Sequence, residues 1–279
     1  MLYLNKNLTL ESNCPLKEAR VGLLGVPFDS TSTYRVGSRN APLEIRKEFY
    51  ELEKEDSFFE TKFCDAGNVD VVHGNTQETL KRVEDSIKSI IQQNRKIVPI
   101  ALGGEHTITY PIVKTLTGEH GKITVVNIDA HMDLKDDYIG EKWCHATVMR
   151  RISELEINLK EIGVRSFLQE EEKYAKKRGV DYCGIEESQI RKILGRLKGR
   201  KVYITLDFDA ITPEIASVVS NPEPDGLKLN QVHFIFNSLI QHCTIVGIDI
   251  VEVNPLYDKT ATSVTAARLL LDVIQRLAV

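Results

Sequence analysis

What this chain has little of narrows its class before any motif is read. Cysteine occurs five times in 279 residues, at positions 14, 64, 144, 183 and 243. No two stand in a C-x-x-C pair, so neither a zinc ribbon nor a disulfide framework is indicated. Long apolar runs are missing: nothing approaches the roughly 20 apolar residues of a membrane span. The opening residues Met1-Leu2-Tyr3-Leu4-Asn5-Lys6 carry no extended apolar core of a secretion signal. A block of one charge is missing too. The net charge is −4, with Lys and Arg scattered among Asp and Glu, which leaves no electrostatic footprint for a nucleic acid or an anionic membrane. There is no internal repeat and no low-complexity tract. These absences point to a reduced, cytoplasmic protein that handles a small molecule.

The rest is ordinary: 42% of residues are hydrophobic and 27% charged, enough apolar surface for a sizeable core. One domain over residues 1–279 is expected, since α/β proteins reach about 250 residues as a single unit. β-branched runs read as strands at 20–26, 59–65, 96–102, 123–128, 159–164, 180–183, 202–206 and 244–250. Between them, apolar residues at helical spacing predict helices over 43–52, 77–94, 108–116, 169–178, 186–197, 229–242 and 263–277, with another beginning near Trp143. Strands alternating with helices imply an α/β fold with a mainly parallel sheet, a three-layer αβα sandwich. Pro99 sits awkwardly in this scheme, because proline cannot donate to a central ladder.

The densest chemistry follows the run Ile123-Thr124-Val125-Val126-Asn127-Ile128, where Asp129, His131 and Asp133 occupy alternate positions. Side chains spaced by two in an extended segment fall on one side, and carboxylate and imidazole are ligands for divalent metals. Asp207-Phe208-Asp209 repeats the device after the strand at 202–206, His106 follows the strand at 96–102, and Glu252 follows that at 244–250. In parallel sheets ligands bind outside the carboxyl ends of the strands, so these groups can meet. Two His and four Asp are too many for one zinc ion and suit a pair of octahedral-leaning ions such as Mn2+. Four carboxylates balance two divalent ions; a hydroxide between them, and Glu252 nearby, would make the site negative and favour a cationic substrate.

Gly103-Gly104-Glu105-His106, Asn127-Ile128-Asp129-Ala130-His131-Met132-Asp133, His145-Ala146-Thr147-Val148-Met149-Arg150-Arg151, Asp207-Phe208-Asp209 and Val251-Glu252-Val253-Asn254-Pro255 together resemble the ureohydrolase family of arginases, agmatinases and formimidoylglutamases. Gly25-Val26-Pro27-Phe28-Asp29 with Arg35-Val36-Gly37-Ser38-Arg39 is similar to the agmatinase branch. The resemblance implies an arginase-like fold and two Mn2+ per chain. It implies that His106, Asp129, Asp133 and Asp207 hold one ion and Asp129, His131, Asp207 and Asp209 the other. Asp133 would orient the attacking hydroxide, His145 would shuttle protons, and Glu252 would pair with a guanidinium. A homo-oligomer, trimer or hexamer, is implied as well. One departure stands out: relatives follow Asp-x-Asp with a small, Gly-rich run, whereas residues 216–226 here read ASVVSNPEPDG.

The short loop 134–144, acidic at Asp136, Asp137 and Glu141, suits a substrate with a cationic tail. Agmatine, hydrolysed to putrescine and urea, fits that balance. Guanidinobutyrate, arginine or formimidoylglutamate are the alternatives, with Lys135 or Lys142 to meet a carboxylate. A non-catalytic metal-binding subunit is the alternative of another class. His73, His120, His233 and His242 match no motif, and Cys144 reads as packing.

Overall fold

The computed structural model describes residues 2–7, 9–257 and 261–278. Its centre is a nine-stranded sheet in the order β1-β3-β2-β4-β9-β8-β5-β6-β7. The strands are β1 (Leu4–Asn5), β2 (Val21–Val26), β3 (Phe63–Val69), β4 (Val98–Gly103), β5 (Thr124–Ile128), β6 (Asn158–Ile162), β7 (Asp181–Cys183), β8 (Lys201–Asp207) and β9 (Thr244–Val251). All pairings are parallel except that of β1 with β3 at one edge.

Alternate residues of the central strands feed two separate cores. Leu23, Ile100, Val126, Ile204 and Ile248 pack on one face with α1 (Ala41–Glu51), α7 (Glu187–Gly195), α8 (Leu229–His242) and α9 (Ala261–Leu277). Leu24, Ala101, Val125, Tyr203 and Val246 pack on the other with α3 (Thr76–Gln93), α4 (Thr109–His120), α5 (Val148–Ser153) and α6 (Gln169–Arg178). A strand with apolar residues on both sides needs a helical layer on each. The expected α/β sandwich is therefore what forms.

Two local expectations change. Phe59 does not open a strand: Asp56–Phe59 is a single helical turn, α2. Its Phe58 ring packs 5.7 Å from Phe49 and 6.2 Å from Phe63, and that buried aromatic contact outweighs the strand preference of the run. β3 instead starts at Phe63 and extends to Val69, where Leu4 pairs with it. Pro99 does lie in a central strand. Val98 donates to Arg20 on the β2 side, so the next residue faces β9, and the β4–β9 ladder begins only at Ile100. The missing N–H falls where no partner waits.

Candidate metal centre

Four strands that end in candidate site residues, β4, β9, β8 and β5, are consecutive neighbours in the sheet. Their carboxyl ends place His106, Glu252, Asp207 and Asp129 side by side. Asp133 and Glu252 have φ of 52° and 64°, a left-handed conformation that costs a non-glycine residue on the order of 1 kcal/mol and is retained where the surroundings dictate it. Gly104 permits the wall of the site to close: a Cβ there would lie 2.0 Å from the Phe28 carbonyl oxygen.

His106 is the centre of the cluster and is fully buried. Its Nδ1 faces Asp129 Oδ2 at 3.3 Å, Asp133 Oδ2 at 3.2 Å and Asp207 Oδ2 at 3.1 Å, yet no hydrogen-bond geometry is satisfied with any of them. His131 Nδ1 lies 3.4 Å from Asp129 Oδ1 and 3.8 Å from Asp209 Oδ2. Both rings thus turn one nitrogen toward shared carboxylates. An orphaned buried imidazole nitrogen within a ring of oxygens, and a second imidazole on the far side of Asp129, is a donor set for divalent cations. The residues present fit the metals expected from the sequence. His106, Asp129 and Asp133 offer ligand atoms within 4.8 Å of one another.

Electrostatics agree with a site built for added positive charge. Burial resists an imidazolium at His106, but the three carboxylates around it raise its pKa well above the ordinary value. At His131 burial is likewise outweighed by Asp129, and the ring is pushed up to about 11. Burial, reinforced by the Asp129 charge, raises Asp133 to about 6 and Asp207 well above the usual carboxylate range. Asp209 is raised by burial and by Asp207. Without metal, these shifts favour bound protons, which offset the mutual repulsion of the carboxylates.

His145, Glu252 and the exposed sides of His131, Asp133, Asp207 and Asp209 line one cavity of about 480 Å³. Burial lowers His145 to about 4, with His131, Lys135 and His106 adding to the effect, and its Nδ1 has no partner. Glu252 Oε1 accepts from the His106 amide at 2.6 Å, while Oε2 is unpartnered. Glu252 is raised well above the usual range by burial and then by Asp209.

The acidic loop sits differently from expectation. Asp136, Asp137 and Glu141 are absent from the lining of this cavity, which Lys135 and Tyr138 reach instead. Asp136 is held by Arg151 at 2.9 Å and Arg150 at 3.3 Å, and Asp137 accepts from the Gly140 amide at 3.3 Å. These two acids serve cations and backbone of their own neighbourhood. Of the other lining carboxylates, Glu171 accepts from the Leu134 and Leu168 amides at 3.0 and 2.9 Å. Glu223 remains, its Oε1 3.4 Å from His131 Nε2.

Several supporting residues are given no role by the sequence. Glu105 accepts from Thr31 Oγ1 at 2.5 Å, the Thr31 amide at 2.8 Å and Thr107 Oγ1 at 2.6 Å, tying down the loop that brings Thr33 and Tyr34 to the cavity. Arg165 donates to the carbonyls of Asp209 and Pro224 at 2.8 Å, Gly163 and Glu223 at 3.2 Å and Ala210 at 3.3 Å. The irregular run 216–226 is therefore pinned rather than loose. Beneath the cluster, Asp249 on β9, Thr205 on β8, Asn127 on β5 and Glu161 on β6 stand level in one row. All four are fully buried. Polar residues inside otherwise apolar buried strands were the signal for them in the sequence.

A model of the arginase family matches residues 19–275. The chain is 33% identical over 282 residues to an agmatinase of Pyrococcus horikoshii, with 98% of each chain covered. It is 33% identical over 280 residues to an N(1)-aminopropylagmatine ureohydrolase of Thermococcus kodakarensis, covering 97% of this chain and 96% of that one. Among solved structures, an agmatine ureohydrolase of Thermoplasma volcanium superposes with a TM-score of 0.85 at 34% identity, covering 94% of this chain and 91% of the other.

Proposed function

The chain belongs to the arginase family and is a metal-dependent hydrolase of guanidino compounds, and from that premise we propose that it hydrolyses agmatine to putrescine and urea on two Mn2+ ions. His106, Asp129, Asp133 and Asp207 would hold one ion and Asp129, His131, Asp207 and Asp209 the other. The observation that carries the reading is the orphaned His106 Nδ1 among three carboxylates, two of which, Asp133 and Asp207, line the cavity. When bound, the ion pair supplies Lewis acidity and a nucleophilic water at neutral pH.

The chain's own residues do the rest. Glu252 Oε2, unpartnered and buried, accepts from the substrate guanidinium, a charge-assisted contact that fixes its carbon over the cluster. Asp133, on the cavity wall, orients the attacking water, takes a proton from it and passes that proton to the departing nitrogen. His145 is kept neutral by burial and can accept a proton at the cavity wall and return it to the amine product. Glu223 meets the distal ammonium group of the substrate. Lys135 stands against that assignment as the cavity's cation, but it lies 4.6 Å over the Tyr138 ring, where the aromatic face already occupies its charge.

The relatives named for agmatine and N(1)-aminopropylagmatine both point to a tail ending in an amine. The test is a urea-release panel with Mn2+, comparing agmatine, N(1)-aminopropylagmatine, guanidinobutyrate and arginine. Agmatine is expected to have the highest kcat/KM. A higher value for guanidinobutyrate or arginine overturns the substrate assignment.

A further inference from the structure

The row of buried polar residues under the cluster has a use beyond packing. His106 turns Nδ1 toward the three carboxylates and Nε2 the other way, where Nε2 lies 2.9 Å from Thr205 Oγ1. Thr205 is buried and stands opposite Asp249 across the β8–β9 ladder. Tyr203 and Thr109 both donate to Asp249 Oδ2, at 2.6 and 2.8 Å. Oδ1 has no hydrogen-bond partner, and Thr205, level with Asp249 in the register, is the remaining side chain that acts on this carboxylate.

We propose that Asp249 and Thr205 form a relay that fixes the orientation and tautomer of His106, so that Nδ1 is presented as a lone pair to the metal held by His106, Asp129, Asp133 and Asp207. The direction of each hydrogen bond follows from the end of the chain. In the relay Asp249 is ionised and only accepts, so the Thr205 hydroxyl turns to Oδ1 and donates to it. Its oxygen is then free to accept, and Nε2 must carry the hydrogen that reaches it. A neutral imidazole with hydrogen on Nε2 has its lone pair on Nδ1, the atom facing the three carboxylates. Outer partners of this kind set ring orientation and ligand basicity, and their loss costs about 10–100-fold in metal affinity.

The second histidine has no buried relay of this kind. His131 is partly open to the cavity, and Glu223, 3.4 Å from its Nε2, sits on the cavity wall. The relay therefore acts on one metal position and not on both. Thr205 and Asp249 are positioning residues, since neither touches the substrate or the proposed ions.

The proposal rests on the dinuclear reading above, and the experiment separates the two. Full-length protein stripped with chelator is titrated with Mn2+ by calorimetry and followed by electron paramagnetic resonance. Wild-type protein is expected to take up two coupled ions. Thr205→Val removes the hydroxyl at nearly constant volume and should weaken one ion by about 10–100-fold, leaving the other in place with the spectrum of an isolated Mn2+. Thr205→Ser should restore affinity to within about threefold of wild type, and Asp249→Asn should weaken the same ion. Two ions bound by Thr205→Val at wild-type affinity overturn the relay. So does an equal loss of both ions that Ser fails to rescue, because that marks a general packing role. Should Thr205→Val not fold, Asp249→Asn decides in its place, with unchanged affinity overturning the relay. One ion or none in the wild-type protein overturns the dinuclear reading and the relay with it.

Discussion

Single side chains at this site are set apart by which hydrogen-bond partners they lack. His145 Nδ1 and Glu252 Oε2 are buried and unpartnered, in a protein interior where nearly every polar atom finds a partner. His145→Asn should lower kcat by about 100-fold or more, the scale of lost proton transfer, with manganese content unchanged by elemental analysis. An equal fall in metal content and turnover would refute the shuttle role. Glu223 differs because it is partly exposed and its neighbours are a proline on each side. Glu223→Gln keeps shape and removes charge, so kcat/KM for agmatine should fall about tenfold, the ratio equivalent to about 1.4 kcal/mol. The value for guanidinobutyrate, which has no amine to meet, should fall less. Equal losses for the two substrates would show that Glu223 acts through His131 rather than on the tail.

At the scale of elements, the irregular segments that shape the cavity are held by single polar groups. Ser220 donates to the Glu252 carbonyl at 3.2 Å, Asn221 to Asp209 Oδ2 at 3.1 Å, and Arg165 gathers five carbonyls around one guanidinium. Removing that guanidinium leaves several carbonyls without donors, each costing roughly 1 kcal/mol or more where water cannot replace it. Arg165→Met should lower stability by about 2–3 kcal/mol and speed amide hydrogen exchange within residues 209–224, while strands β2 and β4 keep their protection. Unchanged exchange across 209–224 would show that the loop holds without the clamp. The run that departs from the family pattern is thus tied to β8 and β9 through Asp209, Glu252 and the Arg165 guanidinium.

For the whole molecule, most of the buried acids act on stability in the same direction as His106 and His131 when metal is absent. Glu105 is raised from 4.5 to about 7, chiefly by burial, and Asp133 from 3.8 to about 6. Between those values the folded state binds more protons than the unfolded chain, so the stability present below about pH 4 is lost as pH rises toward 7. His131, raised to about 11, keeps the same sign above pH 6.5. Asp129, lowered despite its burial by His106 and His131, opposes this in acid, and His145, lowered to about 4 by burial, opposes it up to about pH 6.5, where the raised acids together outweigh that single group. Chelator-treated protein should therefore melt at lower temperature at pH 7.5 than at pH 5. With Mn2+ present the difference should shrink, since bound cations replace the protons and stabilise by mass action. A metal-free melting temperature that rises across that interval would refute the account.

How much of this was legible beforehand follows from how far each interaction reaches along the chain. The alternation of apolar residues is a local property, and with it came the strands, the helices and the α/β class. The spacing by two of Asp129, His131 and Asp133, and of Asp207 and Asp209, is equally local, so the metal-ligand candidates could be read directly. The start of the strand expected at 59–65 was misjudged because Phe58, packed on Phe49 and Phe63, holds 56–59 in a helical turn. The acids of the 134–144 loop were misjudged because Arg150 and Arg151, on the following helix, claim Asp136. The relay from Asp249 through Thr205 to His106 and the contact of Glu252 with the His106 amide span 44 to 146 residues, taking positions from the sequence. Such contacts depend on the order in which strands are laid side by side, and no periodicity encodes that order. The sequence by itself determined the candidate donor set and the class of chemistry; the strand order β4-β9-β8-β5 decided what stands behind each candidate ligand and which carboxylates face the cavity.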